Sequence, residues 1–246
     1  GCFCIGTNQV ALEAAAARGI PVFNAPFSNT RSVAELTLGE IIMMMRGVFP
    51  KSNAAHRGEW DKSAANSWEV RGKTLGIIGY GNIGAQLSVL AEAFGMRVIY
   101  YDHTTKLPHG NAQPMPSLHA LLAEADAVTV HVPETAETMG MIGEAAIRAM
   151  KPGAVLVNTA RGGLVDQAAL VAALQAGSIA GAGLDVYVGE PAVDPRLLKL
   201  SNTVLLPHMG SATLEGRIEM GEKVIINIKT FDDGHRPPDQ VVPSML

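Results

Sequence analysis

The stretch LGIIGYGNIG, residues 75–84, decides how this chain folds. An apolar run leads directly into a G-x-G-x-x-G turn, a helix-like segment follows, and a second apolar run ends at Asp102. In this context each glycine has its own role: Gly79 allows the tight turn, Gly81 lets the backbone approach a pyrophosphate, and Gly84 lets the helix pack closely on the strand. The pattern predicts a strand–turn–helix unit that binds a dinucleotide.

Asp102 gives the expected nucleotide preference. It lies 23 positions after Gly79 (102 − 79), at the end of the second predicted strand. A carboxylate there accepts hydrogen bonds from a ribose diol and repels a 2′-phosphate, so we expect NAD rather than NADP. The free N–H groups at the start of the helix would bind the phosphates. The alternative is a glycine-rich turn with a purely structural role in another kind of α/β protein.

The composition argues against nucleic acid or a membrane as the main partner. The 246 residues are 48% hydrophobic and 17% charged, with a formal net charge of −4. The longest apolar candidate for a membrane span, around residues 41–45, is interrupted by Glu40 and Arg46 and is too short. We therefore expect a protein of the cytoplasm.

The two cysteines are not expected to form a disulfide or a metal site. Cys2 and Cys4 alternate with Phe3 and Ile5 on one side of a predicted strand, where they cannot easily bridge each other. Neither a Cys-x-x-Cys pair nor a histidine cluster completes a set of metal ligands. We interpret them as small buried apolar residues in a reducing compartment.

From Lys73 onward the sequence alternates between predicted strands and helices. The strands are short, continuous apolar runs, as expected for a parallel sheet covered on both faces. They are placed at 74–78, 96–101, 127–132, 154–158, 181–185 and 203–206. Helices fall between most of them, including 166–176, which Gly177 closes. Six such strands predict an α/β fold with a doubly wound parallel sheet of Rossmann type.

The regions at both ends are predicted to belong to a second domain. Residues 1–27 contain a strand at 2–5, a helix at 11–18 and a strand at 20–23 with no sheet to complete, so we interpret them as the remnant of a truncated second domain. A long helix should start at Ser32, where Ser32 and Glu35 fit a capping box. We assign 28–215 to the NAD-binding domain. Residues 216–246 form the C-terminal segment, in which a helix from about 212 to 231 precedes an irregular tail.

Polar residues follow several of the predicted strands. In an open parallel sheet, ligands bind beyond the carboxyl ends of the strands, where these residues would meet. They are His131, Asn158, Thr159, Arg161, Asp185 and His208. Their equivalent positions after successive strands are difficult to explain by packing alone.

Three of the residues in this half of the chain fit the chemistry of hydride transfer to a keto acid. A histidine that titrates near neutral pH can deliver the proton to the oxygen, and a carboxylate can orient it and stabilise its charged form. An arginine can bind the substrate carboxylate with two parallel hydrogen bonds. The candidates are His208, Glu190 and Arg161. Taken singly, they could be a capped surface histidine, a solvated acid and a loop cation.

The motifs together resemble the D-isomer-specific 2-hydroxyacid dehydrogenase family. The resemblance covers nearly the whole chain and is carried by 79–84, 158–163, 185–191 and 206–211, in the family's order and spacing. It implies that His208 donates the proton during reduction, that Glu190 pairs with it and that Arg161 binds the substrate carboxylate. It also implies that residues 1–27 are the remnant of a substrate domain, toward which residues 216–246 return, and that most of the N-terminal half of this domain is absent from this chain.

The resemblance and the glycine turn together predict an NAD site. The predicted cofactor contacts are Gly79, Gly81, Asn82, Ile83, Gly84, Asp102, His131, Val132, Pro133, Thr159, Ala160, Arg161, Asp185, His208, Gly210 and Ser211.

Within the family, different segments resemble different groups of enzymes. Residues 1–10, 23–32 and the region to about 110 look like the bacterial phosphoglycerate dehydrogenases, whereas residues from 205 onward look more like the glyoxylate/hydroxypyruvate reductases. We favour the first group, because its segments are expected nearest the substrate. Ile5, Gly6 and Asn29 match positions that contact substrate there, together with Arg161.

The expected partners are therefore a small 2-hydroxy or 2-keto acid and a second copy of the chain, in a homodimer through the NAD-binding domain. Two other classes stay open from the sequence. A non-catalytic, corepressor-like NAD sensor shares this fold and sometimes the same three residues. A methyltransferase could use a similar glycine loop, but it would give Arg161 and His208 no evident role.

Overall fold

The computed structural model describes residues 1–7 and 9–241. The chain divides into two compact units, a larger one at Val33–Met209 and a smaller one that combines Gly1–Ser32 with the segment from Gly210 onward. The helices are α1 Leu12–Ala17, α2 Thr30–Met45, α3 Val48–His56, α4 Asn82–Ala93, α5 Leu118–Glu124, α6 Glu144–Ala149, α7 Gln167–Ala176 and α8 Leu214–Asp232. The strands are β1 Val22–Phe23, β2 Thr74–Ile78, β3 Arg97–Tyr101, β4 Gln113–Pro114, β5 Ala127–Val130, β6 Val155–Asn158, β7 Gly181–Leu184, β8 Thr203–Leu205 and β9 Gln240–Val241.

The larger unit contains a seven-stranded sheet with the strand order β4-β3-β2-β5-β6-β7-β8. Every neighbouring pair in it is parallel. The chain first extends the sheet from β2 to β4 and then returns to place β5 on the other side of β2. The direction of winding therefore reverses between β2 and β5, and ligands bind at such a reversal, beyond the carboxyl ends of the strands.

Burial on both faces explains why the strands are apolar throughout. All five residues of β2 are buried, and its successive side chains enter different clusters, with Ile77 on one face and Ile78 on the other. Helices α2 and α4 contribute to the cluster of Ile77, whereas α5, α6 and α7 contribute to that of Ile78. The predicted doubly wound α/β sheet is confirmed.

The smaller unit is built around α8. Strand β1 pairs antiparallel with β9, with Val22 opposite Val241. Cys2, Leu12 and Val22 form one small buried cluster, and Ala25 packs with two residues of α8 in another. No helix among the described residues is long and apolar enough to cross a membrane.

Several predicted elements were wrong or incomplete in detail. Residues 2–5 do not form a strand, since their backbone makes only isolated bonds such as Cys2 N–H to Phe23 O (2.8 Å), although Cys2 is buried as expected. Helix α2 begins at Thr30, so Ser32 lies inside its first turn and its hydroxyl bonds that of Thr213 (2.8 Å) instead of capping the helix. The tail predicted to be irregular contains β9, and its residues 242–246 lie outside the described part.

Two elements of the larger unit were not predicted from the sequence. Helix α3 buries only Ala54, so its sequence carries no apolar stripe by which a helix is recognised. Strand β4 is two residues long and has both side chains exposed. Neither provides the burial pattern on which the prediction of elements depends.

Candidate functional site

The glycine turn has the backbone geometry that its sequence predicts. Gly79 has a φ of 92°, which side chains disfavour, and a Cβ there would lie 2.7 Å from His131 O, at the reversal between β2 and β5. A Cβ on Gly84 would overlap Gly79 O, so α4 packs directly on the turn. At Gly81 a Cβ would meet nothing within 4 Å, which leaves the approach to the turn open.

The start of α4 leaves its N–H groups available. The helix begins at Asn82, and the side chain of the preceding residue, Gly81, cannot cap it. The backbone of Asn82 and Ile83 therefore lies where the positive end of the helix dipole meets the open turn. This arrangement fits the pyrophosphate of a dinucleotide.

Asp102 is held in a fixed orientation after β3. Its Oδ2 accepts a hydrogen bond from Tyr80 N–H (2.9 Å), and its Oδ1 accepts from the N–H and hydroxyl of Thr104 (3.0 and 2.9 Å). Partial burial opposes its charge, but these bonds and the charge of Lys106 outweigh it and lower the pKa of Asp102. The side chain is 8% exposed and borders a cavity of about 250 Å³, which Tyr100 and Met115 also line. An ionised, oriented carboxylate at such a cavity fits a ribose diol.

The other polar residues predicted at the strand ends are brought to one edge of the sheet. His131 follows β5, its Nε2 lies 3.0 Å from Thr129 Oγ1, and burial lowers its pKa to about 4, so it is neutral at physiological pH. The hydroxyl of Thr159, after β6, lies 3.2 Å from that of Thr37 on α2. Val132 and Pro133 continue directly from His131, as expected for residues beside the turn at Gly79.

Asn158 fixes the backbone that leads to Arg161. Its Nδ2 donates to Arg161 O (2.8 Å) and its Oδ1 accepts from Ala160 N–H (3.1 Å). The Arg161 side chain is exposed, and its Nη1 donates to Ala160 O (2.6 Å). The guanidinium therefore faces outward from a backbone that is tied to the end of β6.

His208 and Glu190 form a direct pair. His208 Nδ1 lies 2.7 Å from Glu190 Oε2, and Glu190 Oε1 accepts from Tyr187 N–H (2.9 Å). Partial burial opposes the charge on Glu190, but the bonds from His208 and Tyr187 and the charges of His208 and Arg161 outweigh it and lower the pKa of Glu190. Glu190 is therefore an ionised partner for His208, with Arg161 within electrostatic reach.

Asp185 supports the loop that carries His208. It is fully buried at the end of β7, and its Oδ1 accepts from Met209 N–H (2.7 Å). His208 itself has a φ of 53°, in the left-handed region that costs a residue with a side chain about 1–2 kcal/mol. The bond to Asp185 holds the next residue and so helps to keep His208 in this conformation.

Tyr187 is a structural residue of the site that the sequence did not single out. Its hydroxyl can donate to Leu184 O or to Leu206 O, each at 2.9 Å. A Cβ on Gly162 would overlap the carbonyl group of Tyr187, so the segment after Arg161 packs directly against it. In the sequence, only its position two residues after Asp185 could have indicated that Tyr187 belongs to the site.

The remaining predicted residues lie in the smaller unit. Ile5 O accepts from the Asn24 side chain (2.8 Å), and Gly6 O accepts from Cys4 Sγ (3.1 Å). Asn29 Oδ1 is buried without a hydrogen-bond partner among the described residues. Gly210 and Ser211 begin the segment before α8. The role of each of these residues stays a prediction.

A metal site is not found in the part of the chain that the structure describes. Within residues 1–7 and 9–241, no group of three or more His, Cys, Asp or Glu side chains is placed to hold an ion. Both cysteines are free, with Cys2 buried and Cys4 half-buried.

The glycine turn, the strand order and the polar strand ends define a dinucleotide-binding α/β protein with a candidate acid–base pair. Residues 38–210 match the family described as D-isomer specific 2-hydroxyacid dehydrogenase, NAD binding domain, and the chain belongs to this family. It therefore carries the NAD-binding domain of the family, and the methyltransferase alternative is wrong.

The relatives include enzymes of both groups that the sequence resembles. The chain is 53% identical over 240 residues to the D-3-phosphoglycerate dehydrogenase of Haemophilus influenzae, covering 95% of this chain and 58% of that protein. Among solved structures, the TT0316 protein of Thermus thermophilus is 41% identical with a TM-score of 0.90, over 98% of this chain and 78% of that one. A glyoxylate reductase of Paecilomyes thermophila is 36% identical with a TM-score of 0.89, over 99% of this chain and 74% of that one. The chain thus spans little more than half the length of the curated relative it matches.

Proposed function

We propose that the full-length protein is an NAD-dependent oxidoreductase that interconverts a D-2-hydroxy acid and its 2-keto acid. The observation that carries the proposal is the 2.7 Å contact between His208 and Glu190 at the edge of the NAD-type sheet, with Arg161 nearby. A histidine whose imidazole is hydrogen-bonded to a carboxylate partner is suited to general acid–base catalysis.

In the direction of reduction, each of the three side chains has one task. Arg161 binds the carboxylate of the keto acid and polarises the adjacent carbonyl. Glu190 accepts the hydrogen bond from His208 Nδ1, which leaves Nε2 to deliver a proton to the carbonyl oxygen. A bound nicotinamide cofactor supplies or accepts the hydride. In the direction of oxidation, neutral His208 takes the proton from the hydroxyl group.

The cofactor would be held by the turn and by the strand ends. The backbone of Gly79, Gly81 and Gly84 and the first N–H groups of α4 would contact the pyrophosphate, and Asp102 would accept hydrogen bonds from the ribose. The further contacts that we propose are Asn82, Ile83, His131, Val132, Pro133, Thr159, Ala160, Arg161, Asp185, His208, Gly210 and Ser211.

We propose 3-phosphoglycerate and 3-phosphohydroxypyruvate as the substrate pair, which would place the enzyme in serine biosynthesis. The support is the 53% identity to a D-3-phosphoglycerate dehydrogenase over 95% of this chain. Ile5, Gly6 and Asn29 are proposed to contact the substrate with Arg161. A glyoxylate/hydroxypyruvate reductase is the second candidate, supported by the 36% identity to a glyoxylate reductase and by the residues from 205 onward.

NADH oxidation by the full-length protein tests these proposals. The chain would be joined to the segments that its relatives carry beyond the matched region, and assayed with 3-phosphohydroxypyruvate, hydroxypyruvate and glyoxylate side by side. The highest kcat/KM should be found with 3-phosphohydroxypyruvate. A higher value for either of the other acids would favour the second candidate. NADH binding without turnover of any keto acid would favour a corepressor-like sensor.

We also propose that the protein acts in the cytoplasm as a homodimer through its NAD-binding domain. Trp60 is 86% exposed and Trp68 is also exposed, and large exposed aromatic side chains are typical of protein interfaces. The two free cysteines fit a reducing compartment. Sedimentation of the wild-type protein and of Trp60→Ala should show a dimer that the substitution weakens, and a wild-type monomer would contradict the proposal.

A further inference from the structure

The carboxylate of Glu134 lies directly on the backbone that follows Arg161. Glu134 comes shortly after β5, and its Oε2 accepts a hydrogen bond from Gly163 N–H (2.8 Å). A Cβ on Gly163 would overlap this oxygen and would lie 2.7 Å from Met139 Sδ. The two segments therefore touch closely at a residue without a side chain.

The segment that contains Glu134 also donates a hydrogen bond to the backbone carbonyl group of Gly163. Gly140 N–H donates to Gly163 O (2.8 Å), and Ile142 N–H donates to Leu164 O (3.0 Å). The segment has internal bonds of its own, since Thr138 Oγ1 donates to Pro133 O (2.7 Å). Residues 134–142 thus hold the backbone at 163–164 in place through these hydrogen bonds.

The other contacts to this backbone come from uncharged groups. Asn158 Nδ2 donates to Arg161 O, and Gly162 packs against the carbonyl of Tyr187. Among these contacts to residues 161–163, Glu134 provides the only charged side chain. Its side-chain oxygen is what accepts the bond from Gly163 N–H, and the amide oxygen of a glutamine could accept the same bond.

We propose that Glu134 is a positioning residue that places Arg161 for binding the substrate carboxylate, through its bond to Gly163 N–H. Glu134 does not itself touch the substrate. The inference rests on the proposed role of Arg161 as the substrate anchor. It predicts a larger effect on substrate binding than on cofactor binding, because Glu134 contacts the backbone just after Arg161, whereas the glycine turn that would bind the pyrophosphate is not touched.

Hydrogen exchange at Gly163 tests the contact in the chain as it stands. In Glu134→Ala the Gly163 amide should exchange about tenfold faster, whereas Glu134→Gln should retain protection because its amide oxygen can still accept. Glu137→Ala is the matched control, since Glu137 is an exposed acid in the same segment. Unchanged exchange in Glu134→Ala, or faster exchange in the control as well, would overturn the proposal.

Kinetics of the full-length protein test the consequence. Glu134→Ala should raise KM for the keto acid about tenfold with kcat changed less than about threefold, and should change the Kd of NADH by less than about twofold. Glu134→Gln and Glu137→Ala should remain near wild type. An unchanged KM in Glu134→Ala, or a parallel loss of NADH affinity, would overturn the proposal.

A failure of the proposed function would look different. In that case Arg161→Ala would leave KM unchanged, or the wild-type protein would turn over no keto acid, while the Gly163 amide would still respond to Glu134→Ala. Such a result would overturn the role of Glu134 in substrate binding and retain only its contact with the backbone.

Discussion

Glu40 is a buried acid whose removal should change the pH dependence of stability. It lies on α2, is 0% exposed, and neither carboxylate oxygen has a hydrogen-bond partner among the described residues. A Cβ on Gly183 of β7 would lie 3.0 Å from its Oε1. Burial, together with the negative charge of Asp185, raises the pKa of Glu40 to about 8. Tyr187 is a second titratable group near Glu40, since the negative charge of Glu40 contributes to raising the pKa of Tyr187.

The magnitude follows from the difference between the folded and unfolded states. The unfolded chain releases this proton near pH 4.5, whereas the folded protein retains it to about pH 8. The stability that the proton contributes is thus fully present below pH 4.5 and is lost as the pH rises to 8. At pH 7 the gap of 2.5 units (7 − 4.5) corresponds to a loss of about 3 kcal/mol, at about 1.36 kcal/mol per unit.

Urea unfolding of wild type and Glu40→Gln at pH 5 and pH 8 measures this loss. Glutamine has nearly the same volume as glutamate and does not ionise. Because its amide is buried too, Glu40→Gln can change the stability at every pH. The informative quantity is therefore the change with pH of the difference in unfolding free energy between the variant and wild type. The free energy of unfolding of Glu40→Gln relative to wild type should increase by about 3 kcal/mol between pH 5 and pH 8. The exposed Glu137→Gln should show no such change. Parallel pH dependences for wild type and Glu40→Gln would refute the reasoning.

Four further substitutions test the site, and a fifth, Gly39→Ala, is a control outside it. The chain should bind NADH at least about tenfold more tightly than NADPH, a difference of about 1.4 kcal/mol in binding free energy, and Asp102→Ala should reduce this difference. Equal wild-type affinities for the two cofactors, measured by titration, would refute the assignment of Asp102 to the ribose. In the full-length protein, His208→Ala should lower kcat about 100-fold with little change in the Kd of NADH, and near-normal turnover would show that the histidine is structural. Glu190→Gln should move the upper limb of the pH profile for keto-acid reduction to lower pH, because the charged imidazole loses its carboxylate partner; a uniform drop without a shift would contradict the pairing. Gly162→Ala should lower kcat/KM about 100-fold, because its Cβ would displace the segment after Arg161. Gly39→Ala is the control, since Gly39 lies within helix α2 and its Cβ would have its nearest contact at 4.0 Å. This variant should keep activity and raise the free energy of unfolding by about 0.5–1 kcal/mol.

The sheet could be predicted from the sequence because its strands are buried on both faces. Strand β2 was predicted with its observed bounds, and the other five predicted strands end within about two residues of the observed ones. Because every position of β2 is buried, its sequence is a continuous apolar run, and such runs are typical of strands that are covered on both faces. Helix α3 and strand β9 could not be predicted in the same way, because α3 buries only Ala54 and β9 is a two-residue strand whose partner, β1, is distant in the sequence.

The candidate site was predictable only as far as the topology determines it. Glu190 and His208 are 18 residues apart, but both follow adjacent parallel strands, so their proximity follows from the fold. Topology does not determine that Nδ1 of the histidine faces the carboxylate. Glu40 and Glu134 gave no signal, since a buried acid and an exposed acid cannot be distinguished by residue type alone.

Besides the direct pair of His208 and Glu190, the three candidate segments contact one another through backbone groups. The segment of Arg161 packs through Gly162 on the carbonyl of Tyr187, and the Tyr187 hydroxyl can donate to Leu206 O, two residues before His208. Because these contacts leave no room for adjustment, a displacement at one segment is transmitted to the next. Groups that never touch a substrate therefore control the separation of the three side chains, to which acid–base chemistry and substrate anchoring are most sensitive.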